Sequence, residues 1–403
     1  MIGTDVALMS ELSSLTMLPA MPGAASPPLG GVVRVRCEDF IVHELPMYDP
    51  DDAGEHLYLR LRKQDCSHDE LVDLVARAHG VHRRAIGFAG MKDARAITEQ
   101  TLSVHLPGGS GPQPLQDDRV QLVWAARHGN KLRRGHLAGN RFVIRLREVD
   151  PLRVTSAWRS LQSMAEAGVP NAFGPQRFGR QGDNHVLGRD LLTGHWDAIV
   201  TRLTAEGRRG RIEANVRAAA AKGSTPESCV STVPARIRRL WVDSLQSAIF
   251  NAVLAARIED GTWNRLQVDD LAHSFQTRRT FVVSGDDLED PDTCRRMERH
   301  ELSATGPLWG RSMRLPGDSM AEFERTIASS IDGGMLDQLT SDDGPPGARR
   351  PLMVPLDHPQ CESGMDEHGP YVLVAFELPP GAYATTVLHA IMGASEDSIN
   401  AAP

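Results

Sequence analysis

The chain has 403 residues, 41% hydrophobic and 24% charged, enough to bury a sizeable core and longer than one core usually fills, so about two domains are expected. Five cysteines, Cys37, Cys66, Cys229, Cys294 and Cys361, are odd in number, widely spaced and without a CxxC pair, which speaks against a disulfide framework or a zinc site and for a reducing, cytoplasmic setting. Net charge is −8, but residues 282–403 hold 21 acids against 8 arginines, a balance of −13, so residues 1–281 carry +5.

Residues 1–30, with Pro19, Pro22, Pro27 and Pro28 among Ala, Gly and Ser, read as a flexible leader. The first basic residue is Arg34, too late for the charged start of a signal peptide, and no apolar run approaches the roughly 18 residues of a membrane span. Val32–Val42 is valine-rich and alternating, and His56–Arg62 (HLYLRLR) alternates apolar and polar side chains, so both are predicted strands. Ser67–His79 is a predicted amphipathic helix with Ser67 as N-cap, Glu70 as its capping-box partner and Gly80 ending it. Thr101–Leu106, Val120–Trp124 and Arg141–Leu146 follow as strands, and Leu152–Ala167 as a helix. Past Gly168 the composition turns to Gly, Asn, Arg and aromatics, with helices expected near 190–222 and 243–258. Residues 332–351 read as a polar linker, Tyr371–Leu378 as a strand and Thr385–Met392 as a helix.

Residues 119–147 contain Arg119, Arg127, Lys131, Arg133, Arg134, Arg141, Arg145 and Arg147 and no acid, a local +8 that suits phosphates or, equally, a solvated strand pair. Phosphate-loop, GxGxxG, GxSxG and HExxH motifs are missing, which removes most support for ATP-driven, nicotinamide and zinc-protease chemistries. His79 and His82 have HxxH spacing with no further ligand nearby in sequence.

The informative stretch is IGFAGMKDARAITEQ at 86–100. Gly87 and Gly90 permit tight turns, and Lys92-Asp93 follows the second glycine between small residues. Such a carboxylate beside a cation can stay ionised and able to attack when a ligand excludes water. Taken alone, it also fits a surface turn with an exposed ion pair. Its companions, in order, are Glu38-Asp39-Phe40, Gly139-Asn140-Arg141-Phe142, Pro170-Asn171-Ala172-Phe173-Gly174 leading into Gln176-Arg177-Phe178-Gly179, Leu245–Asn251 (LQSAIFN) and Pro380–Thr386 (PGAYATT).

This ordered set resembles the tRNA pseudouridine synthase D (TruD) family over roughly residues 30–393. The resemblance implies an α+β fold: a pseudouridine synthase catalytic domain, with a mixed, largely antiparallel sheet flanked by helices, interrupted by an inserted α/β TRUD domain. Its parts would be 31–167 plus 352–403 and the insertion 168–351. It implies isomerisation of uridine 13 of a tRNA, with Asp93 as the catalytic carboxylate. Phe40, Asn140 and Tyr383 fall at its substrate-contacting positions, Phe142 at an aromatic position against the base, and Arg34 at a basic position near the aspartate. Cys37, Ala172, Asp243 and Tyr383 depart from the usual family residues, and Ala172 removes an aromatic face from the insertion.

The implied reaction breaks the N1–C1′ bond, turns the uracil and rejoins it through C5, so no cofactor and no metal are expected. Asp93 would attack C1′ or remove a ribose proton; both routes stay open. Arg34, or Lys92, is the cation expected to keep Asp93 charged and oriented. Lys131, Arg133, Arg134, Arg141 and Arg177 are the expected RNA-backbone contacts, with tRNA as partner and the protein a monomer. Two alternatives remain: a non-catalytic tRNA-binding or chaperone module that kept the fold, and an RNA methyltransferase, which the missing cofactor loop disfavours.

Overall fold

The computed structural model describes residues 21–331 and 335–393. The alternation of FIVHELP forms strand β1 (Phe40–Pro46), burying Phe40, Val42 and Glu44 in one phase. Valine-rich 32–39 does not join it: Val32 makes one isolated bridge to Arg147, Arg34 takes a left-handed φ of 59°, and Cys37–Asp39 is a 3-10 turn. The left-handed residue Arg34 and the 3-10 turn at Cys37–Asp39 interrupt the extended chain, so the strand starts only at Phe40.

HLYLRLRKQ forms β2 (His56–Gln64), followed by the helix His68–Ala78. The capping box of that helix is present in both directions: Ser67 Oγ accepts from Glu70 N at 3.2 Å, and Ser67 N donates to Glu70 Oε2 at 2.7 Å. Gly80, at φ 63°, supplies the left-handed turn after the helix. The helix buries Leu71, Val72, Leu74 and Val75 against Leu57, Leu59, Leu61, Leu102 and Val104 of the sheet. Strands β3 (Ile86–Phe88), β4 (Ile97–His105), β5 (Val120–His128) and β6 (Leu137–Arg147) follow.

Among the described residues these belong to an eight-stranded sheet in the order Asp357–Asp366, Gly369–Leu378, β6, β1, β4, β2, β5, with β3 also on β4. Only β1 and β4 run parallel within it. Helices Val154–Ala167 and Ala384–Met392 complete this unit, which spans Pro22–Val169 and the chain from Val354 onward. The segment before the sheet is docked, unlike the flexible leader expected for 1–30. Leu29 N donates to Ile391 O at 3.0 Å and Gly30 N to Met392 O at 2.9 Å, and Leu29 is buried. Residues 1–20 lie outside the described residues.

Pro170–Met353 forms a separate unit. Its long helix Ala235–Glu259 buries Leu245, Ile249, Phe250 and Leu254. Its antiparallel sheet runs Ala348–Pro351, Leu302–Leu308, Leu271–Ser274, Thr280–Val282. Buried ion pairs tie it together: Arg257 to Asp270 at 2.9 Å and Arg349 to Glu324 at 2.6 Å. The expected polar linker 332–351 is therefore partly regular. Met335–Thr340 is helical and Ala348–Pro351 is a strand, because Arg349 and Arg350 fold inward onto Glu324 and the Phe173 ring. No helix among the described residues is long and apolar enough to cross a membrane. The fold is α+β, as expected.

Candidate active site

Strand register gathers one face. Lys63 on β2 pairs with Thr98 on β4, Thr98 with Val42 on β1, Val42 with Phe142 on β6, and Phe142 with Phe376. Directly opposed residues point to the same side of a sheet, so these five form one row. The next rung on β1 and β6 pairs Glu44 with Asn140, and Asn140 with Leu378.

Asp93 lies in the loop between β3 and β4, beside this face. Gly87 is required there: a Cβ would meet the Leu132 carbonyl oxygen at 2.3 Å, so only glycine lets segment 130–136 approach. Gly135 N then donates to Ala89 O at 2.9 Å. Arg34 Nη2 donates to Asp93 Oδ2 at 2.7 Å, which leaves Oδ1 uncommitted among the described residues. The Asp93 side chain is 56% exposed and Arg34 26%. The same guanidinium lies over the Phe40 ring, with Cζ 4.1 Å from its centroid. Phe40 meets Phe142 edge-on at 6.4 Å, and Phe142 packs on Phe376 at 5.6 Å. Arg34, Phe40, Asp93 and Phe142 are thus brought together.

Lys92 is not. Its Nζ pairs with Glu44 Oε2 at 2.8 Å, and both side chains are buried. The alternation of β1 turns Glu44 inward, where a carboxylate needs a cation, and Thr101 N donates to its other oxygen at 3.1 Å. Of the two cations expected at Asp93, Arg34 takes that place and Lys92 does not. Asn140 Oδ1 is buried without a hydrogen-bond partner. Tyr383 sits at the start of the helix Ala384–Met392, five residues beyond Leu378, which pairs with Asn140.

The local +8 of 119–147 is not a free +8. Arg119 pairs with Asp117, Arg141 with Glu377 at 3.2 Å and with Gln360, and buried Arg147 with Asp39 and Asp366. Lys131 donates to the Arg84 carbonyl, and Arg134 lies 5.7 Å from the Phe88 ring centroid. Arg133 and Arg134 are exposed on the turn between β5 and β6. The Arg141 guanidinium, partly exposed, is engaged by Glu377 and Gln360, so less of its charge is free for an RNA backbone than the sequence suggested. In the other unit, Arg177 donates to Ser247 Oγ at 3.0 Å and stacks 5.2 Å from Phe173. The HxxH histidines serve local backbone: His79 Nδ1 with Val75 O, and His82 Nδ1 as acceptor from Arg84 N.

Sequence reasoning passed over Lys63, Glu44, Thr98 and Gln100. Thr98 Oγ1 and both amide atoms of Gln100 are buried without partners on this face, which is uncommon for polar groups. The signal was present for Lys63, which continues the inward phase of Leu57, Leu59 and Leu61, and for Glu44, which continues that of Phe40 and Val42.

The family model for tRNA pseudouridine synthase D (TruD) matches residues 23–221 and 208–391. This chain belongs to that family. Among TruD relatives, a tRNA pseudouridine synthase D of Geobacter metallireducens is 34% identical over 400 residues, covering 92% of this chain and 96% of the relative. One from Chromohalobacter salexigens is 34% identical over 379 residues, covering 93% and 96%. The fold also matches a Methanosarcina mazei crystal structure named as a TruD, with a TM-score of 0.76 at 23% identity over 96% of this chain and 98% of that one.

Proposed function

We propose that this TruD family member isomerises uridine 13 of tRNA to pseudouridine, with Asp93 as the catalytic carboxylate. Its family supports the reaction class. The single observation that carries the site is the Asp93 carboxylate, bonded to Arg34 at 2.7 Å with its second oxygen uncommitted, beside the Phe40–Phe142 pair.

The chemistry is balanced within one nucleotide. The N1–C1′ bond breaks, a C5–C1′ bond forms, the C5 proton leaves and N1 gains one. Asp93 Oδ1 either attacks C1′ or removes a ribose proton; each role needs a carboxylate oxygen not already hydrogen-bonded. The target base must leave its stack at a cost of a few kcal/mol, which contacts in the pocket offset. Asn140 offers its unpaired Oδ1 to a uracil N–H, and Phe142, Phe40 and Tyr383 form walls. Arg133 and Arg134 reach phosphates from their exposed turn. In this reading Pro170–Met353 is the inserted TRUD domain.

The experiment is incorporation of pseudouridine into unmodified tRNA transcripts, mapped by carbodiimide-dependent reverse-transcription stops. Wild type gives a stop at uridine 13 and Asp93→Ala gives none while still binding tRNA. A chain that binds tRNA but modifies no transcript is instead a non-catalytic RNA-binding module.

A further inference from the structure

Lysine is scarce in this chain. Of its 44 basic residues only four are lysines, Lys63, Lys92, Lys131 and Lys222, and three of these converge on the segment that carries Asp93. Lys131 holds the Arg84 carbonyl before β3, and Lys92 holds Glu44. Lys63 is the most buried of the three, with none of its surface exposed. Its Nζ donates to Asp93 O at 2.7 Å and to Cys66 O at 2.5 Å, with Lys92 O at 3.5 Å.

All three acceptors are backbone carbonyls. A tetrahedral ammonium can serve acceptors converging on one nitrogen, whereas the planar fork of arginine spreads its donors apart. Removal from water depresses the Lys63 pKa below the ordinary lysine range, opposed by the nearby Cys66 and Asp93. A cation is costly to bury, so its retention beneath the Asp93 loop calls for a return.

We propose that Lys63 is a positioning residue for the catalytic carboxylate: its ammonium ties the Asp93 carbonyl to that of Cys66 and so fixes where the Asp93 backbone sits. The proposal rests on the reading of Asp93 given above. Two cations then hold one residue from opposite ends. Arg34 orients the carboxylate, and Lys63, from β2, anchors the main chain. With the carbonyl held, only two side-chain torsions remain for Arg34 to set.

The test uses the full chain and single-turnover pseudouridine formation at saturating enzyme, with tRNA affinity measured separately. Since a misplacement of about 1 Å can cost about 100-fold in rate, Lys63→Met should be slower by about that factor, with Kd for tRNA within about threefold. Met fills the volume, so a packing role alone leaves the rate intact. Lys63→Ala should be equally slow and partly restored by added n-propylammonium, but not by 1-propanol. A folded Lys63→Met that turns over within about threefold of wild type overturns the proposal. Should neither variant fold, reductive methylation of the wild-type chain decides. Loss of rate in step with Lys63 methylation, beyond any loss caused by methylating Lys222, supports the clamp, and dimethylation of Lys63 in the folded protein with no loss of rate overturns it. Asp93→Ala is run alongside. If that variant keeps its rate, the reading of Asp93 has failed whatever Lys63 does; if it is dead and Lys63→Met is fast, only the Lys63 inference fails.

Discussion

Arg34 and Asp93, 59 positions apart in sequence, meet at 2.7 Å between Nη2 and Oδ2, and the same guanidinium covers the Phe40 ring at 4.1 Å. One planar cation therefore serves an acid at its edge and an aromatic at its face. Arg34 does this from a left-handed backbone, φ 59°, a conformation that costs a non-glycine residue of order 1 kcal/mol or more and that persists where the surroundings demand it.

Lysine cannot reproduce this double contact, because an ammonium has neither fork nor face. Arg34→Lys should slow pseudouridine formation by about tenfold, equivalent to about 1.4 kcal/mol in the barrier, with tRNA affinity retained. Single-turnover rates beside a binding titration check it; an equal loss in both would make Arg34 an RNA contact instead.

The exposed turn between β5 and β6 separates free charge from spent charge. Arg133→Ser with Arg134→Ser should flatten the dependence of log affinity on log salt by about 0.9 for each duplex phosphate that the arginines no longer neutralise. Arg141→Ser should leave that slope alone and lower thermal stability, since it takes from Glu377 its nearest cation. Fluorescence titrations over a salt series, with melting curves, separate the two.

Gly139 lies in β6 where a Cβ would meet the Leu378 carbonyl oxygen at 2.5 Å. Backbone cannot yield as a side-chain tip can, so Gly139→Ala should destabilise the fold by roughly 1–3 kcal/mol, the usual cost of overpacking. Because Asn140 is next in the strand, activity should fall further than Gly139→Ala lowers the folded fraction. Denaturant melts and rates on the folded protein check both.

Buried His68 packs on Phe88 with both ring nitrogens unpartnered, and burial holds its pKa below the ordinary 6.5. The unfolded chain binds a proton near 6.5 that the fold resists, so this stabilisation is complete above about 6.5 and is lost as pH falls from there toward the folded value. His56 and His273, also lowered by burial, act with the same sign. Tm should therefore be lower at pH 5.5 than at 7.5, and His68→Leu should narrow that gap. An unchanged gap would exclude His68 as a contributor.

Much of this could be read from the residues because the signals were local. The Ser67–Glu70 capping box, the Gly80 stop and the alternation of 56–62 each lie within a few positions, and each is in the fold. What escaped was non-local or polar. The strand Asp357–Asp366, DHPQCESGMD, is a solvated sheet edge with no apolar phase to find. The Arg141–Glu377 pair joins residues 236 apart, so the basic run looked freer than it is. At the site, Asp93, Arg34, Phe40 and Phe142 came from ordered motifs, whereas Glu44 and Lys63 were hidden because charged residues in an inward phase read as breaks in the pattern.

The strand Gly369–Leu378 backs Phe142 with Phe376 and Asn140 with Leu378, yet it lies more than 200 residues beyond β6, after the whole of Pro170–Met353. Strand pairing over such a separation waits on the closing of a very long loop. During synthesis β1 to β6 leave the ribosome with one flank of β6 unpaired, and the rung beneath the candidate site is finished almost last. A product truncated between the end of β6 and residue 369 would carry Asp93, Arg34 and Phe40 intact and still lack the strand that backs Phe142 and Asn140, so a ribosome that stops in that interval releases no half-active enzyme onto tRNA.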